Sequence, residues 1–268
     1  MCLVTLLLIT PIASSVYGEV KYTFGVVPQQ SATKLARLWT PILNYLNKQT
    51  GYNITFNTAP NIPEFERRLS LGEYDFAYMN PYHYTVFHED PGYQAFAKQK
   101  HKSIVGLLVT RKDSPIDDLD SLNNKTLAFP SPAAFAASIL PRSNLEKSGI
   151  MFFTKYVSSP DSVYRSVALG LYPAGGGIKR TLNNIDQNIR NQLRILWTTA
   201  PYTPHAFAVH PRVDNNHLKV VADSLYNLEN SDKGKTLLKN INFKGIETAT
   251  NEDWDDVRSL SIDIIKQH

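Results

Sequence analysis

The side chains that could do chemistry in this 268-residue chain are scattered along it. His83 and His88, with Glu89 and Asp90 beside the second, are metal-type donors. Their separation of five turns the two rings to different faces of a helix, whereas a zinc site needs converging ligands. Glu252, Asp253, Asp255 and Asp256 form an acidic group just after Thr250. A Thr with an acid three residues on is close to a capping box, and first-turn carboxylates favour the positive end of a helix. The group therefore reads as a helix start rather than a cation site. Gly175-Gly176-Gly177 lacks the spacing of a dinucleotide fingerprint and reads as the end of a strand before a helix. There is no His-Glu-x-x-His and no serine in a nucleophile elbow. The expectation is no enzyme, no cofactor and no metal.

What remains are polar and aromatic residues at places where a strand hands over to a helix, which is where α/β sheets bind ligands. Gln29 and Ser31 lie in the first such loop, Ser31 being equally suited to cap the helix that follows. Asn80 and Tyr82 open a turn after the strand expected at 75–78. Ser131 and Phe135 begin an Ala-rich helix expected over 133–145. Phe135 either packs or faces a planar or apolar ligand. Tyr202 and His205 stand in a Pro-punctuated segment before an extended stretch at 206–210.

Short apolar strands alternate with amphipathic helices from Tyr22 onward, the pattern of an α/β protein. The first helix carries Leu35, Leu38, Ile42, Leu43 and Leu46 on one face, and Pro41 inside it should kink or split it. The same grammar restarts after Asp113-Ser114-Pro115, with no flexible linker between. Two lobes are expected, joined by extended strands crossing at 103–110 and 204–210. The first lobe takes 19–106 with 207–268, and the second takes 107–206.

Residues 1–18 contain no charged side chain, and Leu3 to Ile9 make an apolar run closed by small residues up to Gly18. That is the hydrophobic and cleavage portion of a secretory signal, although no Lys or Arg precedes the run; the alternative is a buried N-terminal strand. The only cysteine is Cys2, ahead of the run, so an intrachain disulfide is impossible and a lipid anchor is not expected. The balance of 28 Lys+Arg against 24 Asp+Glu is mild and spread out, which argues against a nucleic-acid stripe and fits small anions.

Several stretches, in order, resemble the phosphate/phosphite/phosphonate-binding periplasmic proteins of ABC transporters, a branch of the type II solute-binding fold. Leu38-Trp39-Thr40-Pro41-Ile42-Leu43-Asn44-Tyr45-Leu46 is similar to that family's first helix. Leu69-x-x-Gly72-x-x-Asp75 followed by Asn80-Pro81-x-x-Tyr84 resembles its first-lobe ligand segment, with Tyr84 at the family's ligand tyrosine. Asp113-Ser114-Pro115-Ile116 resembles the entry to its second lobe, and Ala128-Phe129-Pro130-Ser131-Pro132 occupies the place of its anion-binding turn. The resemblance covers about 22–209 and implies a two-lobed, Venus-flytrap α/β protein closing on a small anionic ligand.

Three positions depart from the family pattern. Phosphonate-binding members carry Ser-Thr-Ser-Gly where this chain has Ala134-Phe135-Ala136-Ala137. A ligand histidine expected just before Asp161 is replaced by Ser159-Pro160, and His205 stands where an acid would meet a substrate amine. Each lost charge-assisted contact would weaken binding by ~1.5–3 kcal/mol, which argues against 2-aminoethylphosphonate. The expected protein is an exported, periplasmic, monomeric solute-binding component working with an ABC permease. The alternatives are a sensor lobe feeding a membrane sensor kinase and, less favoured, a periplasmic hydrolase.

Overall fold

The computed structural model describes residues 20–260, so the proposed leader and Cys2 lie outside the described residues. The elements run β1 (Lys21–Val26), α1 (Ala32–Thr50), β2 (Asn53–Asn57), α2 (Ile62–Ser70), β3 (Phe76–Met79), α3 (Pro81–Glu89), β4 (Gln94–Gln99) and β5 (Leu107–Arg111). They continue through β6 (Lys125–Phe129), a π-helical turn (Phe135–Ile139) leading into α4 (Leu140–Lys147), β7 (Phe152–Tyr156), α5 (Pro160–Ala168) and β8 (Ala174–Gly177). After α6 (Lys179–Asn184), α7 (Gln187–Gln192) and β9 (Leu193–Thr198) come β10 (Ala206–Val209), α8 (Asn215–Tyr226), α9 (Asp232–Asn240), β11 (Ile246–Thr248) and α10 (Asp255–Arg258).

These strands form two mixed sheets, in the orders β11-β4-β10-β3-β1-β2 and β7-β6-β8-β5-β9. Sheet membership divides the chain into two lobes, with helices packed on each. The chain crosses between them at 103–106 and returns at 199–205. Ile104 and Tyr202 exchange backbone hydrogen bonds of 2.8 and 2.9 Å, and Thr199 N donates to Gly106 O at 3.0 Å, making a short antiparallel ribbon. Ala206, expected in the second lobe, pairs with Met79 in the first-lobe sheet. The lobe boundary thus falls one residue earlier than expected, and 206–209, expected in the crossing, is a strand between β3 and β4.

Local signals explain most elements. Ser31 caps α1 by accepting from Lys34 N, and Gly51 ends it at φ 74°, a left-handed turn that favours glycine. Asn61, Asn80 and Ser159 cap α2, α3 and α5 in the same way. Of the two outcomes expected at Pro41, a split does not occur: α1 runs unbroken through 19 residues. Its face of Leu35, Trp39, Ile42, Leu43 and Leu46 is buried on the first-lobe sheet, and this apolar contact outweighs one lost backbone bond. Trp39 joins that stripe, and Leu38 packs half-buried against the same core.

The acidic group after Thr250 lies in a 3-10 turn running into α10 and has structural partners. Asp253 Oδ2 accepts from Thr250 N at 2.9 Å and its Oδ1 pairs with Lys98 at 2.6 Å. Asp256 Oδ2 accepts from Thr203 N at 2.7 Å, and Trp254 Nε1 donates to Pro204 O at 2.9 Å. The C-terminal turns therefore grip the return crossing.

Candidate functional site

Strand register fixes which loops meet between the lobes. In the first sheet Val26 is paired with Tyr78 and Ala206 with Met79. Residues 27–31, 80–82 and 202–205 therefore emerge side by side. In the second sheet β6 and β8 are parallel, with Ala128 beside Gly175, so residues 130–135 and 178–180 emerge together. The two sets face each other: Asn80 Nδ2 lies 3.4 Å from Ala133 O, and the Phe135 ring meets Tyr202 edge-on at 6.2 Å. Phe135, Ile139 and Leu140 pack into the core of the first lobe. Two shallow depressions, of about 690 and 320 Å³, lie elsewhere, beside β7 and between α1 and β2.

The first-lobe wall is built on His205. Gln29 Nε2 donates to the imidazole Nε2 at 2.5 Å, and the ring stacks on Tyr78 at 5.1 Å and 20°. Tyr78 is itself wedged among Trp39, Phe207 and Phe243. Burial lowers the His205 pKa to about 3, with the basic groups of His83, Arg180 and Lys102 acting in the same direction, so the ring is neutral at pH 7. Burial likewise pushes the Tyr78 hydroxyl above its ordinary range, opposed by the nearby Arg180 charge. Asn80 is an α3 cap whose Oδ1 accepts from His83 N at 2.8 Å. Beneath it His83, fully buried, has Nε2 at 2.9 Å from Glu66 Oε1 and 3.0 Å from Asn80 Nδ2.

The second-lobe wall is set by backbone. The expected helix over 133–145 opens as a π-helical turn before becoming α-helical. Its carbonyls rest on glycine: a Cβ on Gly106 would lie 2.1 Å from Ala136 O, and one on Gly176 2.0 Å from Ala137 O. Only glycine permits that approach.

The profile of the family described as ABC transporter, phosphonate, periplasmic substrate-binding protein matches residues 24–254, most of the chain. The chain belongs to this family. No curated protein matches it. Solved structures with the same fold include one from Prochlorococcus marinus in complex with methylphosphonate, 18% identical at a TM-score of 0.77, over 90% of this chain and 97% of that one. A Xanthomonas citri protein bound to chloride ion is 18% identical at 0.79, over 90% of this chain and 96% of that chain. The same protein bound to ATP is 17% identical at 0.77, over 91% and 96%. The chain is thus a two-lobed substrate-binding protein of the ABC-transporter kind.

Within this binding protein the residues expected at the site divide. Gln29 touches His205, Phe135 touches Tyr202, and Asn80 reaches across to the second lobe. Ser131 sits beside these at the end of β6, and Tyr82 is buried in the first turn of α3. Ser31 lies exposed at the cleft-side loop, with its hydroxyl 3.4 Å from Lys34 N as a cap. Tyr84 differs from expectation. It is fully buried in the first lobe, where its hydroxyl donates to Asn251 Oδ1 at 3.0 Å and its ring packs on Trp254 at 4.6 Å. A helix turn after Asn80 points residue 84 back into the core, so its hydroxyl is committed there. Asp75, in the same segment, is a staple that accepts from Thr23 N at 2.7 Å and pairs with Arg212 at 2.7 Å. Sequence reasoning passed over Tyr78, near the cleft-facing end of β3, and Arg180, three residues past the end of β8 in the first turn of α6; the strand ends nearby were the available signal.

Proposed function

We propose that this binding protein captures a small anion bearing a phosphonyl or phosphoryl group between its lobes and, once exported to the periplasm, delivers it to a membrane permease. The observation that carries this reading is electrostatic: the full charges acting on His205 at the cleft wall, those of Arg180 and Lys102, are both positive. A neutral imidazole held by Gln29 offers an amine no counter-charge, so the ligand differs from 2-aminoethylphosphonate. The related proteins solved with methylphosphonate, chloride and ATP support an anion of this chemistry.

The test is calorimetric titration of the exported form with methylphosphonate, inorganic phosphate, ATP and 2-aminoethylphosphonate. Binding of at least one of the first three, each tighter than the amine, is the expected result. Preference for 2-aminoethylphosphonate, or silence toward all four, would overturn the reading.

A further inference from the structure

The second lobe has lost the hydroxyls that the family resemblance places at its anion turn, and Ala134, Phe135, Ala136 and Ala137 supply no side-chain donor. Only backbone N–H groups remain there as donors, and the register of β8 offers a charged group to add to them. Because β8 runs parallel to β6, its end at Gly177 opens into the cleft beside Ser131, and Arg180 follows three residues later. The backbone there is bracketed. Tyr164 Oη lies 3.0 Å from both Ile178 N and Ile178 O and 2.9 Å from Thr181 Oγ1. A Cβ on Gly177 would meet that same hydroxyl at 2.1 Å, so the absent side chain lets Tyr164 hold the loop. Arg180 itself is exposed and, among the described residues, makes no hydrogen bond or ion pair. Its charge acts on both Tyr78 and His205 of the opposite lobe.

We propose that Arg180 is the second-lobe anchor for the anion, gripping phosphonyl or phosphoryl oxygens opposite the Gln29–His205 pair and so tying ligand binding to lobe closure. A guanidinium presents paired N–H donors that match two oxygens of such a group, which a single hydroxyl cannot do. It also explains how the chain handles an anion without the family's hydroxyl run. A ligand held by groups on both lobes favours the closed arrangement by its differential contacts. Lys179, its exposed neighbour in sequence, serves as the control for a nonspecific loss of positive charge.

This inference rests on the function proposed above, and the experiment separates the two. Wild type, Arg180→Ala, Arg180→Lys and Lys179→Ala are titrated with methylphosphonate, inorganic phosphate and ATP, and the His205 ring is followed by NMR across pH. Arg180 and Lys179 are both exposed, so the variants keep their fold, checked by melting without ligand. The expected result is a loss of about tenfold to a hundredfold in affinity for Arg180→Ala, a smaller loss for Arg180→Lys and less than twofold for Lys179→Ala. The His205 pKa should also rise in Arg180→Ala, a response that a loop-holding role alone would not give. If wild type binds and Arg180→Ala binds within twofold, the assignment of Arg180 falls while the proposed function stands. If wild type binds none of the three anions, both fall.

Discussion

In the first lobe the cleft wall is made of side chains rooted in a continuous aromatic core, whereas in the second it is made of main chain lying directly on glycine. Tyr78 and His205 are held because Trp39, Phe207, Phe24 and Phe76 form one packed body beneath them. The second-lobe sheet carries two smaller clusters, one around Val163 and Tyr164 and the other around Leu127 and Phe129. Its contribution to the cleft depends on how closely the π-helical turn can approach β8. A side-chain wall fixes ring orientation and local polarity, while a backbone wall fixes where a single arginine is presented. The difference suggests that ligand class is written mainly in the first lobe and capture mainly in the second.

The largest expected effects come from breaking each wall in its own way. Phe207→Ala opens a hole among Phe24, Trp39, Tyr78 and Phe243 and should cost ~3–5 kcal/mol in urea unfolding. Gly176→Ala does the opposite, pushing a methyl into Ala137 O, and overpacking of this kind costs ~1–3 kcal/mol or more. If Gly176→Ala were neutral, the backbone wall would not be the tight seat described.

The next effect concerns pH and is smaller only when taken per pH unit. The folded His205 pKa of about 3 lies below the ordinary 6.5, so between these values the unfolded chain binds the extra proton. Stability should therefore fall as pH drops from 6.5 toward 3, with a slope of at most ~1.4 kcal/mol per pH unit from this group. His205→Gln should flatten that part of a melting-temperature profile. An unchanged profile would show that the first-lobe wall does not hold the ring neutral.

The smallest effect belongs to Ser31. Losing its cap contact to Lys34 N in Ser31→Ala should cost about 1 kcal/mol or less and leave anion affinity unchanged. A drop in affinity would move Ser31 from helix cap to ligand contact.

Much of this architecture could be read from residue order, because strand and helix periodicities, Asn and Ser caps and turn glycines are local signals. The capping box at Thr250 and the strand at 174–177 are of this kind. A split at Pro41 was the misleading alternative, because the cost of the proline is local and its remedy, burial of Leu35, Trp39, Ile42 and Leu43, is tertiary. Tyr84 was misleading for a related reason: its partners Asn251 and Trp254 lie far along the chain. The π-helical turn has no periodic signature of its own, since it arises where backbone settles on Gly106 and Gly176. Arg180 carries no local signal of its own, since its place past the end of β8 follows from how β8 pairs with β6.

The ribbon formed by Ile104, Gly106, Thr199 and Tyr202 has a mechanical corollary. Two hydrogen-bonded strands flex readily out of their common plane, yet slide or shear only by breaking their ladder. With Thr203 and Pro204 also fastened to Asp256 and Trp254, one edge of that leaf spring is clamped. Bending of that ribbon is therefore the least costly way for the lobes to part, because it leaves these hydrogen bonds intact.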